Sequence, residues 1–463
     1  MAISRSDLLG KTDVKKALMK LAVPAIFAMG VTALYNLVDT IFVGRGAGEI
    51  AIGALSIANP VQMIVIAFSL MIGVGSASVF SRAFGRDDQQ AMETVVNTAL
   101  ILGIVVSLLI AGVGIFFLDD LLYFFGATDG NIGYAHDYLF YILIGMVPFS
   151  LSIIFNNLSR AEGRAKVAMI SMVIGASVNI ILDPIFIFEW GLGLGVKGAA
   201  IATIIAKSAA FIYVFSQALS KRSNLKVNLL HLHHVDFSMV SEVSAIGFSS
   251  FIRNALGAVL VIVINRLIKY HATDPEIYIS IFGVVNRLIM FILLPGFGLV
   301  QGLQPIVGFN FGAKNNKRLY DVIAYTLKLI IIYYSSVFIL TQLFAKYVFM
   351  LFSEDATETF MQYGTWSLRI VSIGLLFVGF QVILSSVYQA MGYPVRAFLV
   401  AISRQFVLFI PIVFLLTYVY GIDGIWYTFL ISDAIAGIGS LIVFRFEMKD
   451  LKKKIPETQV INS

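Results

Sequence analysis

The chain has 463 residues, of which 59% are hydrophobic and only 13% charged, with a formal net charge of +6. A soluble domain carries about 25% charged residues, so this composition excludes an ordinary water-soluble enzyme or binding module. No cysteine is present, which removes disulfides and thiolate metal sites.

The opening segment, MAISRSDLLGKTDVKKALMK, is polar and basic. It has no short apolar core followed by a small-residue cleavage site, so the first span itself is expected to direct insertion. Apolar stretches then recur at the length of about 20 residues that crosses hydrocarbon as a helix. Twelve spans are predicted. The first six lie at 17–43, 51–80, 92–117, 133–157, 168–189 and 198–219, and the second six at 239–268, 278–303, 319–345, 363–389, 396–419 and 425–445. The loops between them sort by charge. One side carries Lys15, Lys16, Lys20, Arg82, Arg86, Arg160, Arg164, Lys166, Lys221, Arg222, Lys226, Lys314, Lys317, Arg318, Arg396 and the lysines at 449–454. The other carries Asp119, Asp120, Asp129, Glu189, Asp274, Glu276, Glu354, Asp355 and Asp423, with few bases. An excess of Lys and Arg marks the cytoplasm. The expectation is a multi-pass protein of the cell membrane, both termini cytoplasmic, its positive charge belonging to loops beside lipid headgroups rather than to a nucleic-acid site.

A repeat organises the spans. SRAFGRDDQQAMETVVNTA at 81–99 and GFNFGAKNNKRLYDVIAYT at 308–326 share a Phe-Gly before a polar loop and a new span, at an offset of 227 residues. The same offset carries Asn59 onto Asn286, Gly75 onto Gly302 and Pro184 onto Pro411, and an offset of 226 carries Gly195 and Gly198 onto Gly421 and Gly424. The predicted fold class is therefore an all-α integral membrane protein whose twelve helices form two parallel-repeat lobes of six. An N-lobe over 1–219, a cytoplasmic joint at 220–238, a C-lobe over 239–446 and a cytoplasmic tail at 447–463 are expected. Parallel repeats of this kind are a transporter architecture, so an enzyme is not expected.

The intramembrane acids break the symmetry. SVNIILDPIFIF at 177–188 places Asp183 in an apolar run, one helical turn after Asn179 and just before Pro184. In span 1, Tyr35 and Asn36 stand four and three residues before Asp39, spacings that share a helix face. The offset of 227 replaces Asp183 by Ile410 and Asp39 by Arg266. The C-lobe thus keeps the helices without the acids, which points to function rather than scaffold. A carboxylate at bilayer depth is costly and marks an ion or substrate path. Two buried carboxyls near one another can hold and release a proton, and carboxylate, amide and hydroxyl oxygens equally form a ligand set for Na⁺. These residues do not choose between the two ions. Pro24 removes a backbone bond early in span 1 and supplies a point where that helix can bend.

These motifs resemble the multidrug and toxic compound extrusion family. The resemblance is carried by NLVDTIFVG in span 1, ALSIANP opening span 2, FNNLSRAEG ending span 4, and NIILDPIFIF with GLGVKGAAIAT across spans 5 and 6. It implies export of organic cations and related amphiphiles, driven by inward proton or sodium flow. One branch of the family places its cation site in the N-lobe, which here implies Asp39, Asn156, Asn179, Asp183 and Thr203 as its residues, with Tyr35 and Tyr138 as neighbours. Asn36 and Pro24 are expected to border the substrate cavity. Another branch uses a glutamate in span 7, where SSFIRNALGAVLVIVINRLI has no acid. No cofactor beyond the coupling ion is implied, and a monomer is expected. Asn156, Asn179 and Thr203 could also serve as polar contacts between helices.

A flippase for a lipid-linked precursor is the alternative function, and the arginines of the C-lobe spans keep it open. An intramembrane aspartyl protease also uses two membrane aspartates, but its Gly-x-Gly-Asp motif is absent and it would leave the repeat unexplained. Lys207, Arg253, Arg287, Arg369 and Arg404 are expected to snorkel or pair, with Arg404 and Asp433 forming an ion pair. The histidines at 231, 233 and 234 are read as solvated residues of the joint rather than a metal site.

Overall fold

A computed structural model of the protein describes residues 4–227, 236–350 and 357–453, and the described residues are helical with no strand. The predicted histidine cluster lies outside them. The N-terminal half holds α1 (Arg5–Gly10), α2 (Val14–Ala47), α3 (Glu49–Gly85), α4 (Gln89–Phe116), α5 (Leu118–Phe124), α6 (Ile132–Ile144), α7 (Met146–Ala161), α8 (Ala165–Ile187) and α9 (Gly195–Ala218). The C-terminal half holds α10 (Phe237–His271), α11 (Pro275–Gly312), α12 (Asn316–Met350), α13 (Glu358–Met391), α14 (Pro394–Ile402), α15 (Ile410–Tyr420) and α16 (Asp423–Lys453), with a π-helical segment at Ser403–Phe409 joining α14 to α15. Among the described residues eleven spans are long and apolar enough to cross a membrane, and α6 with α7, bent by 56°, makes a twelfth when the pair is taken as one span.

That bend has a local cause. Pro148 has no N–H to offer the Ile144 carbonyl, so α6 ends there and α7 begins with a proline in its first turn. Gly145 sits at the break against Ile204, with no room for a Cβ. Two short helices, α1 and α5, were not predicted. By contrast α2 runs unbroken through Pro24 for 34 residues.

The repeat is visible in the packing between the lobes. A Cβ at Gly85 would collide with the Phe309 carbonyl, and a Cβ at Gly312 with the Arg82 carbonyl. Both pairs are related by the offset of 227, so each lobe offers the same glycine to the same carbonyl of the other. Gly75 likewise lies against Val243 on α10, and Gly302 against Ala22 on α2. Glycine lets the helix backbones approach closely where lipid supplies no hydrophobic drive for association.

All these crossings fall in the halves of α2, α3, α10 and α11 nearest the chain ends. One apolar core spans both lobes there, including Leu18, Phe80, Leu303 and Phe309. At the far end each lobe has its own core, around Leu122, Leu139 and Ile187 in the first and around Phe282, Phe349 and Trp426 in the second. The repeat-related Gly30 and Gly257 meet no atom there. The lobes thus form a V that joins at the end carrying the termini.

Candidate cation site in the N-lobe

Asp39 on α2 and Asp183 on α8 come together in the far half of the N-lobe, their carboxyls within hydrogen-bonding reach of each other. Sequence separation gives no hint of this contact; it follows from α2 packing along α8. Asp183 is fully buried and Asn179 nearly so. The Asn179 side-chain amide donates to Asp183 Oδ1 at 2.9 Å, as the one-turn spacing predicts, and reaches Thr203 Oγ1 on α9 at 3.5 Å. Pro184 follows within α8 without ending it, and the Pro184 carbonyl accepts from Phe188 at 3.3 Å.

Tyr138 on α6 is buried, accepts a hydrogen bond from Gln62 Nε2 at 3.0 Å and faces both acids. Tyr35 accepts a hydrogen bond from Lys207 Nζ at 3.0 Å. Four acceptors stand out: Asp39 Oδ1, Asp183 Oδ2, Asn179 Oδ1 and Asn156 Oδ1 are buried and receive no hydrogen bond from the protein. All four belong to residues named for the site from sequence. Burying an oxygen without a donor costs about 1–3 kcal/mol, so each of these acceptors is a cost the folded protein carries unrepaid by its own donors.

Asn36 and Pro24, expected to border the substrate cavity, are not part of this group. Asn36 is exposed, with its backbone carbonyl accepting from Thr40 at 2.9 Å. Pro24 is buried in the joined half of α2, about 22 Å along the helix from Asp39 at 1.5 Å per residue.

Lys207, expected to snorkel or pair, lies inside this group and pairs with Tyr35. Its ammonium sits 5.0 Å from the Tyr35 ring centre and 5.4 Å from that of Phe149, close enough to Asp39 to interact with its charge. The available signal was its place one turn after Thr203 on the same helix. Gln62 was missed as well, because an isolated amide in an apolar span carries no pattern. Among the described residues no three His, Cys, Asp or Glu side chains gather as a metal site.

A family model, MatE, matches residues 24–185 and 245–415, one segment in each lobe. The chain belongs to the MATE family. Its curated relatives include the multidrug export protein MepA of Staphylococcus haemolyticus (strain JCSC1435) and that of Staphylococcus aureus (strain MRSA252), each 26% identical over 433 residues that cover 94% of both chains. A solved outward-facing multidrug resistance MATE family transporter of the MOP superfamily superposes with a TM-score of 0.89 at 26% identity, covering 96% of this chain and 98% of that one. A MATE structure in the bent conformation also gives a TM-score of 0.89 at 26% identity over 97% of this chain and 98% of that one. One in the straight conformation gives 0.89 at 25% identity over 97% and 99%. The chain is thus a multi-pass membrane protein of a transporter family, not an enzyme.

Proposed function

We propose that this MATE protein is a secondary active multidrug efflux antiporter, exporting organic cations or amphiphiles in exchange for H⁺ or Na⁺ by alternating access of its lobes. The observation that carries this reading is the set of buried acceptor oxygens on Asp39, Asp183, Asn179 and Asn156, which await a donor or a cation. A proton on either facing carboxyl would turn the Asp39–Asp183 contact into a hydrogen bond. A sodium ion would instead take the oxygens as ligands, in competition with the ammonium of Lys207. The relatives named as multidrug export proteins support the substrate class.

In this reading the basic loops place the joined end and both termini at the cytoplasm, so the V opens outward and its cleft releases substrate to the exterior. Alternating access then requires the glycine crossings at the joined end to part while the far ends close, a rocking of one half against the other. Pro24 marks where α2 can bend within that motion. The protein works as a monomer among membrane lipids, without a cofactor and without nucleic acid, its joint at 220–238 acting as the tether between lobes.

The test is reconstitution in liposomes with an imposed pH or sodium gradient and a fluorescent organic cation. Dye movement driven by one gradient and abolished in Asp183→Asn is the expected result. Dye movement independent of both gradients, or undiminished in Asp39→Asn and Asp183→Asn, would remove the role given to the acids.

A further inference from the structure

The polar group of the N-lobe already holds a cation of the chain's own. Lys207 on α9 donates from Nζ to the Tyr35 hydroxyl on α2 at 3.0 Å. The same ammonium lies 5.0 Å from the Tyr35 ring centre and 5.4 Å from that of Phe149 on α7. Three helices thus meet around one ammonium. Tyr35 precedes Asp39 by one turn, and Lys207 follows Thr203 by one turn. α9 leaves the far core at Val196 and Ala199 and reaches the shared core at Val214 and Ala218. Both one-turn steps therefore lead from the acids toward the joined end. Tyr35, Phe149 and Lys207 are half-buried, whereas Asp183 and Asn179 are buried. The ammonium belongs to the more accessible layer of the site.

A base inside a span is usually closed by an acid or a backbone carbonyl, as Arg404 is by Asp433. Lys207 is held differently. Among the described residues its hydrogen-bond partner is a neutral hydroxyl rather than either carboxylate, and Asp39 acts on it through space. The helical plan does not require this arrangement. The offset of 227 puts Ile262 at the place of Tyr35, and the offset of 226 puts Asp433 at that of Lys207. Aromatic rings within about 6 Å of a positive charge are the surroundings that recognise an ammonium ligand. A hydroxyl acceptor and an acid at longer range complete that set here. Lysine carries its charge on a flexible four-carbon stem, so the ammonium can leave by rotamer changes without moving a helix.

We propose that Lys207 is a tethered stand-in for the transported cation. In the substrate-free protein its ammonium fills the position beside Tyr35 and Phe149 that the cationic centre of an exported molecule takes, and the two exclude each other. The inference rests on the reading of this protein as an exporter of organic cations. Arrival of the substrate ejects the lysine, and return of the lysine helps to expel the substrate. Lys207 thereby lowers affinity for organic cations and speeds their release.

The test uses full-length protein in nanodiscs of zwitterionic lipid, at fixed pH and without sodium. Two dyes of one shape are compared by fluorescence anisotropy, one bearing a trimethylammonium and the other a tert-butyl group in its place. Lys207→Met is expected to tighten the cationic dye about tenfold, within the range of a single cation–aromatic site, and to leave the neutral dye within about twofold. Lys207→Gln, which keeps a donor for Tyr35, should give the same gain, so the inference is tested even where Lys207→Met fails to fold. Lys207→Arg restores the charge and should lose the gain. Adding Phe149→Leu to Lys207→Met should cancel most of it, because the dye then enters a site short of one ring. In liposomes Lys207→Met should transport with a lower half-saturating dye concentration and a slower maximal rate. A gain equal for both dyes, or one that survives Phe149→Leu, would reduce Lys207 to bulk or distant repulsion and overturn the inference. Unchanged affinity for the cationic dye in both uncharged variants would overturn it while leaving the efflux reading in place. Failure of antiport is separate, since it is read from imposed gradients and binding is measured with none.

Discussion

The two lobes share a helical plan and treat their buried acids in opposite ways. In the C-lobe Asp433 on α16 pairs with the Arg404 guanidinium, which comes from the π-helical segment between α14 and α15. The acid there has a fixed cation and is complete. In the N-lobe Asp39 and Asp183 face each other, with only the ammonium of Lys207 in the vicinity. The offset of 227 puts Arg266 at the place of Asp39 and Ile410 at that of Asp183. A pair closed by arginine holds a shape, whereas two carboxyls facing each other have no arginine to close them, which fits the proton or sodium site proposed above. The comparison teaches that the repeat supplies the scaffold and that departures from it supply the chemistry.

The sharpest way to break this comparison is to remove a charge from each lobe in turn. Asp39→Asn or Asp183→Asn is expected to abolish gradient-driven dye transport in liposomes while leaving expression and thermal stability near wild type. Asp433→Asn should do the reverse, since it strands Arg404 in the protein interior. Breaking a buried pair on one side costs about 3–5 kcal/mol, which should be read as a clear loss in a thermal unfolding assay of the detergent-solubilised protein. The double variant Arg404→Met with Asp433→Leu should recover most of that stability and retain coupling. If Asp433→Asn instead uncoupled transport at unchanged stability, the division of labour between the lobes would be wrong.

A smaller effect is expected from Lys207, the residue that stands between these two cases. Lys207→Met removes the competing ammonium from the neighbourhood of Asp39 and Tyr35. Transport should persist, and its sensitivity to external sodium should rise several-fold relative to wild type, measured by dye efflux at fixed pH. A sodium response identical to wild type would confine Lys207 to packing against Tyr35 and Phe149.

The smallest effect concerns the joined end, where α1 lies across both lobes. Asn310 and Arg318 of the C-lobe donate to the Leu9 carbonyl at 2.9 and 2.8 Å, and Arg5 of α1 pairs with Glu162 of the N-lobe. Burial pushes the Glu162 carboxyl above its ordinary 4.5, against the opposing pull of the Asn224 N–H, Arg5, Arg164 and Ser223. Glu162 therefore takes up a proton at a pH above 4.5 and weakens its hold on Arg5. Because the folded value lies above the unfolded one, this group favours the folded state more, not less, as pH falls through that window. A spin label on α1 should gain mobility with a midpoint above pH 4.5 while overall stability holds, and Glu162→Gln should be mobile at every pH. A mobility change that simply tracks acid unfolding would deny α1 this local release.

Some of this was written in the sequence without ambiguity. Apolar length fixed the spans, because backbone polar groups in lipid must be satisfied within the helix. The offset of 227 fixed the two lobes, and residues such as Asp39 and Asp183 announced themselves because a charge in an apolar run is too costly to be incidental. Spacing of one helical turn also foretold the Asn179–Asp183 hydrogen bond. Other features needed the third dimension. That Asp39 meets Asp183, and that Lys207 finds its partner in Tyr35 beside them, depend on which helix faces pack together. Periodicity reports a face but not its partner. Asn36 shows the same limit from the other side, since its spacing of three from Asp39 shares a helix face and yet it is exposed while an oxygen of Asp39 is buried. The lobe junction was likewise beyond reach: Gly85 and Gly312 could be matched as a repeat, but only the packed helices put each against the carbonyl of the other lobe, because close approach of two backbones is a property of the pair and not of either segment.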